Sequence, residues 1–332
     1  MDFMQNLVHR AQLNEQARIF LKFTWFGDLA CSSGPHYVRG EKKSLAEILS
    51  HLEKGYSDDL IENLACWALK DTIPAPLSLR ALYDLMGAFQ DLIGEHYEEN
   101  RIRYSPDYPR LFGVQHLEEY AQVILAHSNC GGAMRSGLLG YGGVSAPTLF
   151  ALVAMTHLHP EAVSGAFAVS HAVQAAQGGA LPEMIRQQAL VGARQGWTMA
   201  RDFIAQEIGP VSVNGSIEER MQHVFESGDP CWGVEDMAAE GIETRFVIPA
   251  AVLVATQATE LSAREALRFI VEQAIAIGGD PDTIGSIAMG IAGAYLGERL
   301  SEQIDVVIAG IDLDPVLVPP FLARDNHFSW QS

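Results

Sequence analysis

Apolar residues recur at intervals of three and four positions through most of this chain, and that spacing constrains its fold more than any other feature. Such a period lays apolar side chains along one stripe of a helix, so many stripes must be buried against one another. Runs that alternate every second residue, the mark of a half-buried strand, are scarce. Helices are expected over 78–93, 115–127, 161–177, 183–208, 216–226, 246–258, 262–277 and 283–300, with breaks at Gly178-Gly179, Gly209-Pro210 and Gly278-Gly279. Ser44-Leu45-Ala46-Glu47 has capping-box spacing and predicts a helix ending near Gly55, after which Ser57 caps the next. The polar stretch from Gly94 to Tyr108 reads as a surface loop. The chain has 332 residues, 48% of them hydrophobic, with no fixed-period repeat and no Pro/Ser-rich linker. The expectation is an all-α fold forming one compact domain over residues 1–332.

Charge narrows the partners. With 22 basic and 41 acidic side chains the formal charge is -19, which repels nucleic-acid backbones and anionic membrane surfaces. A phosphate-bearing small ligand stays compatible, because helix N-termini and bound cations reverse the field inside a cleft. Cys31, Cys66, Cys130 and Cys231 show no CxxC spacing, so a zinc knuckle or redox pair is not indicated and reduced thiols are expected. Residues 1–20 lack the apolar stretch of a secretory signal. The run from Val144 to Met155 falls short of the roughly 20 residues that a membrane span needs. The expected location is the cytoplasm, with neither nucleic acid nor membrane as partner.

Two acidic clusters carry the chemistry. Ser57-Asp58-Asp59 sits at an expected helix start, where free amides and the backbone dipole favour negative charge. Asp280-Pro281-Asp282-Thr283 follows a double glycine and precedes an apolar, small-residue run from Ile284 to Leu296. Together they offer carboxylates and hydroxyls only, the hard-oxygen set that Mg²⁺ or Ca²⁺ prefers and zinc does not. Spacing alone leaves two readings open: a shared metal site, or two clusters that each cap their own helix and face water.

Longer motifs go further. Gly278-Gly279-Asp280-Pro281-Asp282-Thr283-Ile284-Gly285, followed by Met289-Gly290-Ile291-Ala292-Gly293-Ala294, resembles the C-terminal metal motif of the ADP-ribosylglycohydrolase family. Further blocks similar to that family appear in order: Phe26-Gly27-Asp28, Tyr56-Ser57-Asp58-Asp59, Gly131-Gly132-Ala133-Met134-Arg135, and Thr156-His157-Leu158-His159-Pro160-Glu161-Ala162 leading into Ser164-Gly165-Ala166. They span about residues 23–300. The resemblance implies a compact orthogonal bundle of helices with two Mg²⁺ ions in a cleft. It also implies a hydrolase that removes ADP-ribose from a modified protein side chain, arginine first, by attack of metal-activated water at the anomeric carbon. By position, Ser57, Asp58, Asp59, Asp280, Asp282 and Thr283 match its metal ligands. Ser128, Asn129, Cys130, Gly131 and Gly132 match the loop that cradles the phosphates and ribose, and His157 matches a histidine near the ligand. Asp58 or Asp59 is the candidate base for the attacking water.

This chain departs from the family pattern at several places. Serine stands for threonine at Ser57, Leu60 and Pro281 replace threonines, and Pro35 occupies the place of a glutamate past the Gly-Asp pair. Cys130 stands where asparagine is commoner. These departures motivate a rival expectation: a non-catalytic protein of the same fold that binds ADP-ribose or neutralises an ADP-ribosyltransferase toxin. The expected partners are therefore an ADP-ribosylated protein or ADP-ribose itself, and on the rival reading the transferase. Three other features have plain readings. His157-Leu158-His159 before Pro160 reads as a turn leading into a helix rather than a zinc pair. Trp67 and Trp232 read as core or partial-core residues, with a place lining a cleft as the alternative for Trp232. Asp28 reads as a residue that stabilises a turn by accepting backbone hydrogen bonds.

Overall fold

A computed structural model describes residues 3–31, 58–99, 108–209, 216–234 and 242–310, and among these residues every regular element is a helix. In chain order they are α1 (Phe3–Ala11), α2 (Glu15–Cys31), α3 (Asp58–Leu69), α4 (Leu79–Glu99) and α5 (Tyr108–Gly113). There follow α6 (Leu117–Ala126), α7 (Gly131–Tyr141), α8 (Ala146–Ala154), α9 (Pro160–Gln177) and α10 (Pro182–Glu207). The last are α11 (Ile217–Ser227), α12 (Thr244–Ala258), α13 (Ala263–Ile277), α14 (Pro281–Leu296) and α15 (Glu298–Gly310).

Helices that are apolar all round belong in the interior, and α2, α9 and α14 are among those that occupy it. In α2 every residue from Phe20 to Cys31 is buried, in α9 every residue from Pro160 to Ser170, and in α14 every residue from Thr283 to Gly293. The packing follows: α9 lies against α7, α10, α12 and α14, while α14 lies against α2, α12 and α13. Amphipathic helices such as α11 and α13 close the outside, each burying one stripe. The buried side chains join in one hydrophobic cluster that includes residues of α1 through α15.

The α2/α14 crossing brings backbones into near contact. A β-carbon on Gly27 would stand 2.3 Å from the Gly285 carbonyl oxygen, and one on Gly285 would stand 2.7 Å from that of Gly27. Only glycine at both places permits this approach. The crossing lies three residues past Asp282, so it fixes the start of α14 against α2.

Several sequence expectations need correction. The pattern over 283–300 is two helices, α14 and α15, because Gly297 at φ +62° ends the first. The supposed loop from Gly94 is helical through Glu99, with His96 and Tyr97 buried: a polar composition did not prevent α4 from carrying an apolar stripe into the core. Residues 100–107 lie outside the described residues, as do the Ser44–Glu47 capping box and its helix. Asp28 is inside α2, not in a turn. Trp67 is buried, but Trp232 is 38% exposed and stacks on His223 at 4.4 Å between ring centres. Its large ring is covered on one face by another side chain and not by the core.

Candidate functional site

The local sequence explains how the second acidic cluster is presented. Gly278 and Gly279 both have positive φ, +73° and +76°, so the chain turns sharply out of α13 before Asp280. Asp280 is the N-cap of α14 and Pro281 its first residue, yet the Asp280 side chain makes no cap hydrogen bond. Its carboxylate is thus left for something other than capping. Asp282 Oδ1 accepts from the Thr283 amide at 2.9 Å. Burial, and then the neighbouring Asp280 charge, push the Asp282 carboxyl well above the usual carboxylate range.

The first cluster bears on the same neighbourhood through the charge of Asp59. Asp58 opens α3, and Asp59 is buried beside it at 7% exposure, while Ser57 lies outside the described residues. The meeting point is Cys130. Its thiol donates to Asp280 Oδ2 at 2.9 Å. Burial pushes that thiol well up, the Asp280 carboxylate and its hydrogen bond push it further, a hydrogen bond with Thr283 opposes this, and the Asp59 charge adds to it. Asp59, Asp280 and Thr283, far apart in sequence, therefore all bear on the Cys130 thiol. Leu60 turns into the core at 1% exposure, so its lost hydroxyl is replaced by packing.

The donor chemistry here suits a hard divalent cation. Asp59, Asp280, Asp282 and Thr283 supply oxygen only, and the partly buried carboxylates Asp280 and Asp282, each raising the cost of the other's charge, are stabilised when a cation neutralises them. No group of three or more His, Cys, Asp or Glu side chains among the described residues is already arranged as a metal cage.

The glycine-containing loop is held from three sides. Its backbone pairs with 242–244: the Cys130 amide donates to Ile242 O at 2.9 Å and the Thr244 amide to Ser128 O at 3.2 Å. Ser128 Oγ donates to Glu243 Oε2 at 2.9 Å. Gly131 and Gly132 begin α7, with Asn129 Oδ1 accepting the Gly131 amide at 3.2 Å. His157 lies behind the loop at 2% exposure, its Nε2 2.6 Å from Asn129 Oδ1. The neighbouring His159 is the N-cap of α9 and accepts the Glu161 amide, in keeping with a turn into a helix.

Residues to which the sequence attached no role complete the arrangement. Arg135, on α7, is 1% exposed and donates from Nη1 to Glu62 Oε2 at 2.7 Å and to the Tyr108 hydroxyl at 2.9 Å, and from Nη2 to Thr156 Oγ1 at 2.5 Å. Glu62 is one turn beyond Asp58 on α3, so this ion pair ties the first acidic cluster to the loop. The signal was present: Arg135 is the only Asp, Glu, Lys or Arg between residues 131 and 160, and an isolated charge in an apolar run demands a buried partner.

The ADP-ribosylglycohydrolase family model matches residues 43–304, a span that holds both acidic clusters and the loop but not Phe26-Gly27-Asp28. A solved structure described as an "ADP-ribosylglycohydrolase-related protein complex" is similar at 17% identity and a TM-score of 0.52, over 89% of this chain and 96% of its own. At that identity the likeness speaks for the fold. No curated protein sequence matches. The family match takes in well over half of the residues together with both acidic clusters, and the chain belongs to the ADP-ribosylglycohydrolase family.

Proposed function

We propose that this protein is a Mg²⁺-dependent hydrolase that cleaves the glycosidic bond between ADP-ribose and a modified protein side chain, arginine first. The family is one of glycohydrolases acting on ADP-ribose linkages, and the finer statement is our reading. The observation that carries it is the Cys130 thiol of the glycine-containing loop, which is hydrogen-bonded to Asp280 and Thr283 and feels the charge of Asp59.

On this reading Ser57, Asp58, Asp59, Asp280, Asp282 and Thr283 would hold two Mg²⁺ ions, which supply positive charge to orient the ribose hydroxyls and favour ionisation of water. The residues do the rest. Asp58 or Asp59 accepts the proton of the water that attacks the anomeric carbon. The loop 128–132 leads into the start of α7, where the backbone dipole favours the phosphate oxygens. Burial of Asp59, Cys130 and Thr283 keeps bulk water away from the oxocarbenium-like transition state. The four cysteines form no disulfide, which suits a reducing compartment, and we assign the protein to the cytoplasm. Among the described residues no helix is long and apolar enough to cross a membrane.

The test is release of free ADP-ribose from a panel of arginine-, serine- and nucleobase-linked substrates. Turnover on the arginine-linked substrate is expected with Mg²⁺ and is lost in folded Asp58→Ala, Asp59→Ala and Asp282→Ala proteins. Full activity in chelator overturns the metal role. Tight ADP-ribose binding without product, with and without Mg²⁺, replaces the enzyme by a non-catalytic binder.

A further inference from the structure

His157 and Asn129 form a hydrogen-bonded pair whose proton positions the surrounding donors determine. Thr156 Oγ1 lies 2.5 Å from Arg135 Nη2, which can only donate. The hydroxyl therefore accepts there, and its own proton goes to His157 Nδ1 at 2.7 Å in preference to Val153 O at 3.4 Å. Arg135 Nη2 also faces Nδ1, at 3.4 Å. An Nδ1 that meets two donors is an acceptor, so the ring proton sits on Nε2. That proton points to Asn129 at 2.6 Å and requires the carboxamide oxygen there. The Gly131 amide, 3.2 Å from the same atom, independently requires an oxygen at that position. Both carboxamide-oxygen partners are thus used, and what Asn129 has left is its amino group.

We propose that His157 is a positioning residue: as the Nε2–H tautomer it holds the Asn129 carboxamide by Oδ1, so that the loop offers its ligand the Asn129 Nδ2 donor, matched to a phosphate or ribose oxygen. The inference rests on ADP-ribose as the ligand of this site. The ring's surroundings keep it neutral: burial, then the Arg135 guanidinium on α7 and His127 at the end of α6, hold its pKa well below the ordinary value. The nearby carboxylate, Glu62 on α3, is engaged by Arg135.

Two measurements on the intact chain test this. Long-range proton–nitrogen spectra of the ¹⁵N-labelled protein should show His157 protonated at Nε2 and bare at Nδ1, unchanged between about pH 5 and 8. A ring protonated at Nδ1, or one that takes up a second proton in that range, overturns the proposal. ADP-ribose titrations then compare variants that melt cooperatively. His157→Gln keeps an N–H at the Nε2 position and should bind within about threefold of the unaltered protein, whereas His157→Asn should be about tenfold weaker. Asn129→Asp keeps an oxygen for His157 and Gly131 but presents an anionic acceptor to the ligand, and should also be about tenfold weaker or more. Binding by Asn129→Asp as tight as that of the unaltered protein refutes this inference alone. No uptake of ADP-ribose by the unaltered protein refutes the proposed function and the ligand half of this inference, and the spectra still decide whether His157 holds Asn129.

Discussion

Replacing Gly285 by alanine should force α2 and α14 apart, and the structure sets the scale. The new β-carbon would stand 2.4 Å from Cys31 Sγ, 2.9 Å from Cys31 Cβ and 2.7 Å from the Gly27 carbonyl oxygen. Ordinary contacts between such atoms lie at about 3.5–4.0 Å, so roughly 1 Å of relief is needed. A side chain can rotate away, but the Gly27 oxygen belongs to helix backbone, and Cys31 is fully buried. Relief must then come from helix separation, which gives up contacts along the whole crossing. Overpacking commonly costs about 1–3 kcal/mol, and a backbone obstacle puts this case near the top, at about 3 kcal/mol. At about 2.1 cal/mol/K of unfolding entropy per residue over 332 residues, that lowers Tm by about 4 °C. Scanning calorimetry measures it directly. Cys31→Ala removes the nearest obstacle and leaves the Gly27 oxygen, so the double variant should recover about 1 kcal/mol relative to additivity. A Gly285→Ala protein melting with the unaltered one, or a double variant that is simply additive, refutes the close crossing or the part Cys31 plays in it.

Breaking the Arg135–Glu62 pair by Arg135→Met should cost about 3–5 kcal/mol in denaturant unfolding, because it leaves a buried carboxylate uncompensated, while Arg135→Met with Glu62→Leu should recover most of the loss. Cys130→Ala removes the donor to Asp280 and should weaken Mg²⁺ binding about tenfold by calorimetry, with Cys130→Ser restoring it; unchanged affinity in the alanine variant argues against Asp280 as a ligand positioned by this thiol. Cys31 and Cys130 are buried with thiols pushed well up, and Cys66 is buried with its thiol pushed up to about 12. A thiol-disulfide reagent at pH 8 should therefore label the half-exposed Cys231 alone in the native state and all four cysteines after unfolding, and rapid labelling of a second thiol contradicts the burial.

Much of the site could be read along the chain because its parts are short and locally constrained. Gly278-Gly279 before Asp280-Pro281 announced a sharp turn into a helix, and the turn is there at two positive φ angles. The oxygen-only character of the two clusters followed from residue types alone. What could not be read was which partners these residues would find. Cys130 looked like a departure at a ligand position, yet its thiol meets Asp280, 150 residues away. His157 looked like a ligand neighbour, yet its ring holds Asn129 from behind the loop. Arg135 carried no assigned role and joins α3, α7 and the turn that follows α8 through Glu62 and Thr156.

The fold divides in the same way. Period and breakers determined that the chain is helical and where α9 to α13 run, since a helix stripe is written in residues three and four apart. They did not determine that α4 continues through Glu99 or that Trp232 lies at the surface, because burial depends on which helix faces which. Only the packed structure decided that Gly27 meets Gly285 and that Asp59 and Asp280 both act on one thiol. Local spacing decides what each segment can be. Contacts between segments far apart in sequence are selected by the summed packing of the whole core, and no short stretch encodes that sum.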